Sequence, residues 1–313
     1  MKATREAFGN TLPLMGDINE NILALDADLG GATKIRAFGD KHPDRFFQMG
    51  IAEANMIGVA SGLSEYGYKV FLASFGSFLT GRYDIIRCSL AYSNRPVVLV
   101  GTHVGMAIGK DGVTQMGLED VSLMRSLPNM KVLNPATYTE AVEVIKYLCN
   151  TELDSPHYLR LGRQPIKDVF EELPWKYTFE FGKGNQITTG DDITIFSTGC
   201  VLPDVLDSAE SIKHWTGKSV RVVNIHTIKP IDKDIIIKAA EETDLLFTVE
   251  DHSIIGGLGS AVSEVLTEYY PKRLVRIGLN DEFPESGPPV DLYEKYGLSS
   301  KQIFKRIENE LDR

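Results

Sequence analysis

The feature that most constrains this chain is a regular alternation of short apolar runs with segments of helical length. An amphipathic stretch through Ala7, Leu12 and Met15 leads into the run Ile22-Leu23-Ala24-Leu25-Asp26. Further strand-like runs lie at 45–49, 69–73, 96–101, 130–133 and 157–161, with helix-length segments at 52–66, 78–93, 118–127 and 137–149. Strands that alternate with helices return in parallel register, which predicts an α/β, doubly wound parallel sheet. Between 163 and 192 the pattern weakens at Pro165, the Glu171-Glu172 pair, Pro174 and the turn-like Gly182-Lys183-Gly184-Asn185. It then resumes with strands at 193–197, 219–224, 245–249 and 274–277 and helices at 203–214, 233–242, 258–269 and 299–311. The expectation is two doubly wound domains, 1–165 and a smaller 191–313, joined by a linker at 166–190. The length of 313 residues fits, because single cores usually stop growing near ~250 residues.

Charge and punctuation exclude several classes. With 33 basic against 43 acidic residues, a net charge of −10 offers no basic field for nucleic acid or an anionic membrane. No apolar run reaches the ~18 residues of a spanning helix. Cys88, Cys149 and Cys200 are scattered and unpaired in spacing, which predicts a reducing compartment and a cytoplasmic chain. The histidines at 42, 103, 157, 214, 226 and 252 never fall three or four apart, so no metal site of this chain's own is expected. Neither a GxSxG elbow, a Walker loop nor a GxGxxG after a strand is present.

In such sheets ligands collect at the carboxyl ends of the strands, and three segments there carry candidate chemistry. Glu53 opens a predicted helix directly after a strand; helix-dipole stabilisation of a first-turn acid would explain it equally well. Phe75, Phe78 and Tyr83 follow another strand, either as core residues or as a platform for a flat ring. The loop from Thr102 through His103 and Asp111 to Gln115 is long and polar, as a ligand loop would be, although His103 can be a bonded loop residue and Asp111-Gly112 a turn. Gly256-Gly257-Leu258-Gly259 reads as a helix-entry turn rather than a phosphate loop.

In order along the chain, Thr4-Arg5-Glu6-Ala7-Phe8-Gly9, Asp26-Ala27-Asp28-Leu29, Pro43 to Glu53, Ser77-Phe78-Leu79, Asp111-Gly112-Val113-Thr114, Leu127-Pro128-Asn129-Met130 and Lys229-Pro230-Ile231-Asp232 resemble the C-terminal half of transketolase. The likeness is nearest to the stand-alone C-terminal subunit of split transketolases. It implies a thiamine-diphosphate enzyme with a pyrimidine-binding domain followed by the family's C-terminal domain. Glu53 matches the glutamate that bonds the aminopyrimidine and promotes deprotonation of the thiazolium, and Phe78 the aromatic stacked on that ring. Asp28 and Leu29 match a segment near the thiazolium. Arg5, His103, Asp111 and Arg163 match residues that contact sugar hydroxyls or a distal phosphate, with His103 read as catalytic as well as substrate-binding. The family's Gly-Asp-Gly motif for diphosphate and Mg²⁺ or Ca²⁺ is absent here. The resemblance therefore implies a partner N-terminal subunit carrying it, an α2β2 assembly and small sugar substrates.

Three departures accompany these matches. Gln115 stands where the family usually has a histidine toward the donor sugar, Ala32 where a serine often holds phosphate, and Gly81 where a second aromatic is common, for which Tyr83 is the substitute. Gln115 binds a hydroxyl but cannot take a proton. The expectation is two-carbon ketol transfer with a donor that is not the ordinary pentose or sedoheptulose phosphate. The alternatives are a 2-oxoacid dehydrogenase E1 β-type subunit and a non-catalytic scaffold subunit.

Overall fold

A computed structural model describes residues 1–173 and 176–311; Pro174 of the expected linker lies outside them. The strands are β1 (Ile22–Asp26), β2 (Phe46–Gln48), β3 (Lys69–Phe75), β4 (Val97–Thr102), β5 (Lys131–Leu133), β6 (His157–Leu161), β7 (Asn185–Gln186), β8 (Ile193–Thr198), β9 (Val220–Asn224), β10 (Thr227–Lys229), β11 (Leu245–Ser253) and β12 (Leu274–Leu279). They form a seven-stranded sheet in the order β10-β5-β6-β4-β3-β1-β2 and a five-stranded sheet in the order β12-β11-β8-β9-β7. Pairing is parallel except at the edges, where β10 and β7 run antiparallel. The two α/β units expected from the alternation are present.

The apolar runs are continuous because both sheet faces are covered. In β1, Leu23 and Leu25 enter one core cluster while Ile22 and Ala24 enter another on the opposite face. The second sheet is sandwiched in the same way, with Ile195 on one side and Phe196 on the other. Each buried Leu, Ile or Phe among them contributes roughly 1.5–3 kcal/mol. Helix starts are satisfied locally: Thr137 Oγ1 accepts from Glu140 N at 3.3 Å and Asp232 Oδ1 from Ile235 N at 3.3 Å.

The structure corrects several boundaries. The single helix expected at 78–93 is three pieces, Gly76–Thr80, Tyr83–Ile85 and a π-helical stretch Ile86–Tyr92, broken around Gly81 and Arg82. β11 does not stop at Val249 but continues through Glu250-Asp251-His252, whose polarity hid the strand although all three are buried. β10 is three residues long, too short for periodicity, and crosses from the second half of the chain to close an edge of the first sheet. The Gly256–Gly259 turn does open a helix, Leu258–Tyr269; Glu250 accepts from Leu258 N (2.7 Å) and Gly259 N (2.8 Å), so the chain's own carboxylate fills that N-terminus.

Candidate active site

The carboxyl ends of β1 to β4 converge on one side of the first sheet. Asp26, the last residue of β1, is buried and accepts from Leu29 N (3.1 Å) and Gly30 N (3.0 Å). Gln48, the last residue of β2, donates to Asp26 Oδ2 at 2.7 Å and accepts from Asp28 N (3.0 Å) and Gly50 N (2.9 Å). This pair ties the turn bearing Asp28 and Leu29 to the turn that leads into Glu53. Asp28 is exposed and left-handed at φ 63°, while Leu29 is half-buried. Neither Asp26 nor Gln48 was a sequence candidate, although two polar residues closing adjacent parallel strands were the signal.

Glu53 is the first residue of the helix Glu53–Glu65 and is only 5% exposed. Its ion pair with Arg82 spans 4.0 Å, the loose end of such contacts, which leaves the carboxylate open to a closer partner. Arg82 follows the helix Gly76–Thr80, which carries Phe78. The Phe78 ring stacks on Phe75 (centroids 5.3 Å, 21°), and Phe75 stacks on His103 (3.9 Å, 24°). Three rings thus form a ladder along the ends of β3 and β4. Tyr83 lies elsewhere: its ring packs against the core and its hydroxyl bonds Ser126 Oγ at 2.9 Å. The geometry therefore does not provide Tyr83 as a second ring beside Phe78.

His103 is buried, with φ 57°. Arg5 Nη1 donates to its Nε2 at 3.1 Å, so the ring proton sits on Nδ1, 2.9 Å from Thr102 Oγ1. Burial, then the nearby charges of Arg5, Arg163 and Lys34, push the imidazole down to about 3. It is neutral at physiological pH, with both ring nitrogens hydrogen-bonded, and is not a standing acid. Arg5 Nη1 also donates to Ala32 O at 2.7 Å, and Arg5 Nε is buried without a partner among the described residues. Arg163 Nη1 donates to Asp111 Oδ2 (2.6 Å) and Ile108 O (3.0 Å), locking the turn Met106–Asp111. Gln115 is half-buried, and its backbone carbonyl accepts from Ser77 Oγ at 3.1 Å, next in sequence to Phe78.

Arg5, His103, Asp111 and Arg163, named from segments as much as 158 residues apart, thus form two hydrogen-bonded pairs, Arg5 with His103 and Arg163 with Asp111, close enough for the Arg163 charge to act on both members of the first. Lys34, missed in the sequence, stands near enough for its charge to act on His103, and it is held left-handed at φ 75° against Gly9. The orphaned Arg5 Nε and the three converging cations suit an anionic or hydroxyl-rich ligand. The ring ladder and the under-satisfied Glu53 suit a flat nitrogen heterocycle.

The chain thus carries two α/β units and, at the strand ends of the first, a buried carboxylate and a ladder of three rings. Residues 1–168 match the family described as Transketolase, pyrimidine binding domain, and residues 182–303 match Transketolase, C-terminal domain. The chain belongs to the transketolase family. It is 43% identical over 312 residues to a chain of Methanocaldococcus jannaschii assigned as a transketolase C-terminal section, covering 99% of this chain and 96% of that one. It is 36% identical to a 6-deoxy-6-sulfo-D-fructose transketolase subunit of Clostridium sp., covering 99% and 94%. A split-gene transketolase solved as an inactive β4 tetramer superposes with a TM-score of 0.89 at 40% identity, covering 99% of this chain and 98% of that one. The chain thus spans the pyrimidine-binding and C-terminal domains of the transketolase family, its relatives include split transketolases, and the dehydrogenase and scaffold readings are the less supported ones.

Proposed function

We propose that this subunit, completed by an N-terminal partner, transfers a two-carbon ketol unit from a ketose donor to an aldose acceptor. The domains are proposed as 1–165 and 191–313 with a linker at 166–190, and the chain as cytoplasmic. The observation that carries the reading is the buried Glu53 carboxylate at a helix start, loosely paired with Arg82, which follows the helix bearing Phe78 of the Phe78-Phe75-His103 ladder. These residues fit thiamine diphosphate, on which the transketolase family depends; when bound it supplies a carbon nucleophile and an electron sink. Glu53 would hold a proton against a nitrogen of the aminopyrimidine, Phe78 would cover that ring, and Asp28 and Leu29 would border the thiazolium. Arg5, His103, Asp111, Gln115 and Arg163 would grip the sugar and its far end. The diphosphate and its Mg²⁺ or Ca²⁺ would be held by the partner, giving an α2β2 heterotetramer.

Gln115 and Ala32 favour a donor with an anion other than phosphate, or with none. The sulfonated sugar in the name of one relative is in line with such a donor, and the inactivity of the β4 assembly of another with the need for a partner subunit. The test is a tagged pull-down from the native cell with mass spectrometry, then two-carbon transfer assays with thiamine diphosphate and Mg²⁺. Recovery of a stoichiometric chain carrying Gly-Asp-Gly and transfer activity supports it. A homo-oligomer alone, or an acyltransferase core, refutes it.

A further inference from the structure

We propose that Asp251, in the second domain, is a positioning residue for the sugar-binding loop of the first. The inference rests on the function proposed above. β11 ends as a buried polar tip, Glu250-Asp251-His252, that enters the first domain. Asp251 Oδ1 accepts from Met106 N at 2.9 Å, across 145 residues of chain, and Oδ2 accepts from Tyr293 OH at 2.8 Å. Met106 opens the turn that runs from just after His103 to Asp111.

The fit is close on the loop side. Gly105 sits at φ 70°, and a Cβ there would stand 2.1 Å from Asp251 Oδ2, so the backbone lies directly against the carboxylate. The same tip holds the far end of the loop. Ser253 N donates to Leu118 O at 2.9 Å, and Arg160 Nη2 donates to both Asp251 O (2.9 Å) and Gly117 O (3.0 Å). Gly105 N in turn donates to Gly117 O at 2.8 Å, closing the loop on itself. Arg160 is fixed by Asp120, whose Oδ2 accepts from its Nε at 2.8 Å. A carboxylate buried between two domains therefore sets where the segment bearing His103 and Asp111 stands, without touching the substrate.

The assay is steady-state transfer by the reconstituted two-subunit complex with thiamine diphosphate and Mg²⁺. Asp251→Ala is expected to raise the donor KM at least tenfold while kcat falls less than threefold and half-saturation by thiamine diphosphate stays unchanged. Asp251→Asn keeps an oxygen for Met106 N and is expected to restore KM to within threefold of the parent. Should Asp251→Ala fail to fold, Gly105→Ala, which drives a methyl against the same carboxylate, must raise the donor KM by itself. An unchanged donor KM in the folded variant overturns the proposal, as does equal loss in KM, kcat and cofactor saturation. Asp111→Ala separates the two levels: if it raises the donor KM and the Asp251 and Gly105 variants do not, only this inference fails. If Asp111→Ala also leaves KM unchanged, the reading of the loop as sugar-binding fails.

Discussion

Arg5 Nη1 donates to His103 Nε2 over 3.1 Å, joining the first helix of the chain to the loop after β4. A guanidinium cannot accept, so the contact fixes the tautomer and opposes any added proton. With the folded value pushed to about 3, against an unfolded value near ~6.5, only the unfolded chain takes up a proton as pH falls between them. His103 therefore costs nothing above about pH 6.5 and destabilises progressively below it. His103→Gln is expected to make the acid limb shallower by about 1.4 kcal/mol per pH unit between roughly pH 6 and 4. Urea midpoints across that range check it; parallel limbs for the two proteins refute it.

Glu53→Gln keeps the size of the side chain and removes its acid–base capacity. In the reconstituted complex, turnover is expected to fall at least ~100-fold with subunit assembly unchanged. Turnover close to the parent's would support a scaffold role instead.

Gln115→His restores an ionisable group at the sugar end of the loop 103–117. The donor ranking over ketose phosphates, sulfonated ketoses and unphosphorylated ketoses is expected to move toward the phosphates. An unchanged ranking removes Gln115 as a determinant of the donor.

Gly101, on β4, leaves the room that Tyr158 on β6 occupies: a Cβ there would lie 2.1 Å from Tyr158 Oη, which donates to Asp120 Oδ2 at 2.7 Å. Gly101→Ala must push the buried ring aside and break that bond, and is expected to cost at least about 2 kcal/mol. Equilibrium urea unfolding measures it; a loss under about 0.5 kcal/mol would show that the ring has room to shift.

Much of the fold was legible in the sequence because a sheet covered on both faces demands long apolar runs, and those of β3, β4 and β8 stand out from the polar helices between them. Elements without that signature escaped. β10 is too short for a period, the polar end of β11 imitates a loop, and the break after Phe78 follows a single glycine. The candidate site was partly legible for a different reason. Glu53, Phe78, His103 and Arg163 each follow a strand end, and the ordered resemblance to transketolase named them. Asp26 and Gln48 do close strands, but their work is to shape turns through hydrogen bonds, and Lys34 nears His103 only through the fold, so no motif named them.

What the sequence alone determined was the two α/β units and the family, because these depend on local periodicity and ordered motifs. What only tertiary structure decided is which groups meet. Arg5 and His103 share a hydrogen bond, Tyr83 turns to Ser126, and Asp251 reaches Met106 from the other domain. Such contacts are set by how strand ends gather in space, and separations of 98 and 145 residues leave no trace in local pattern.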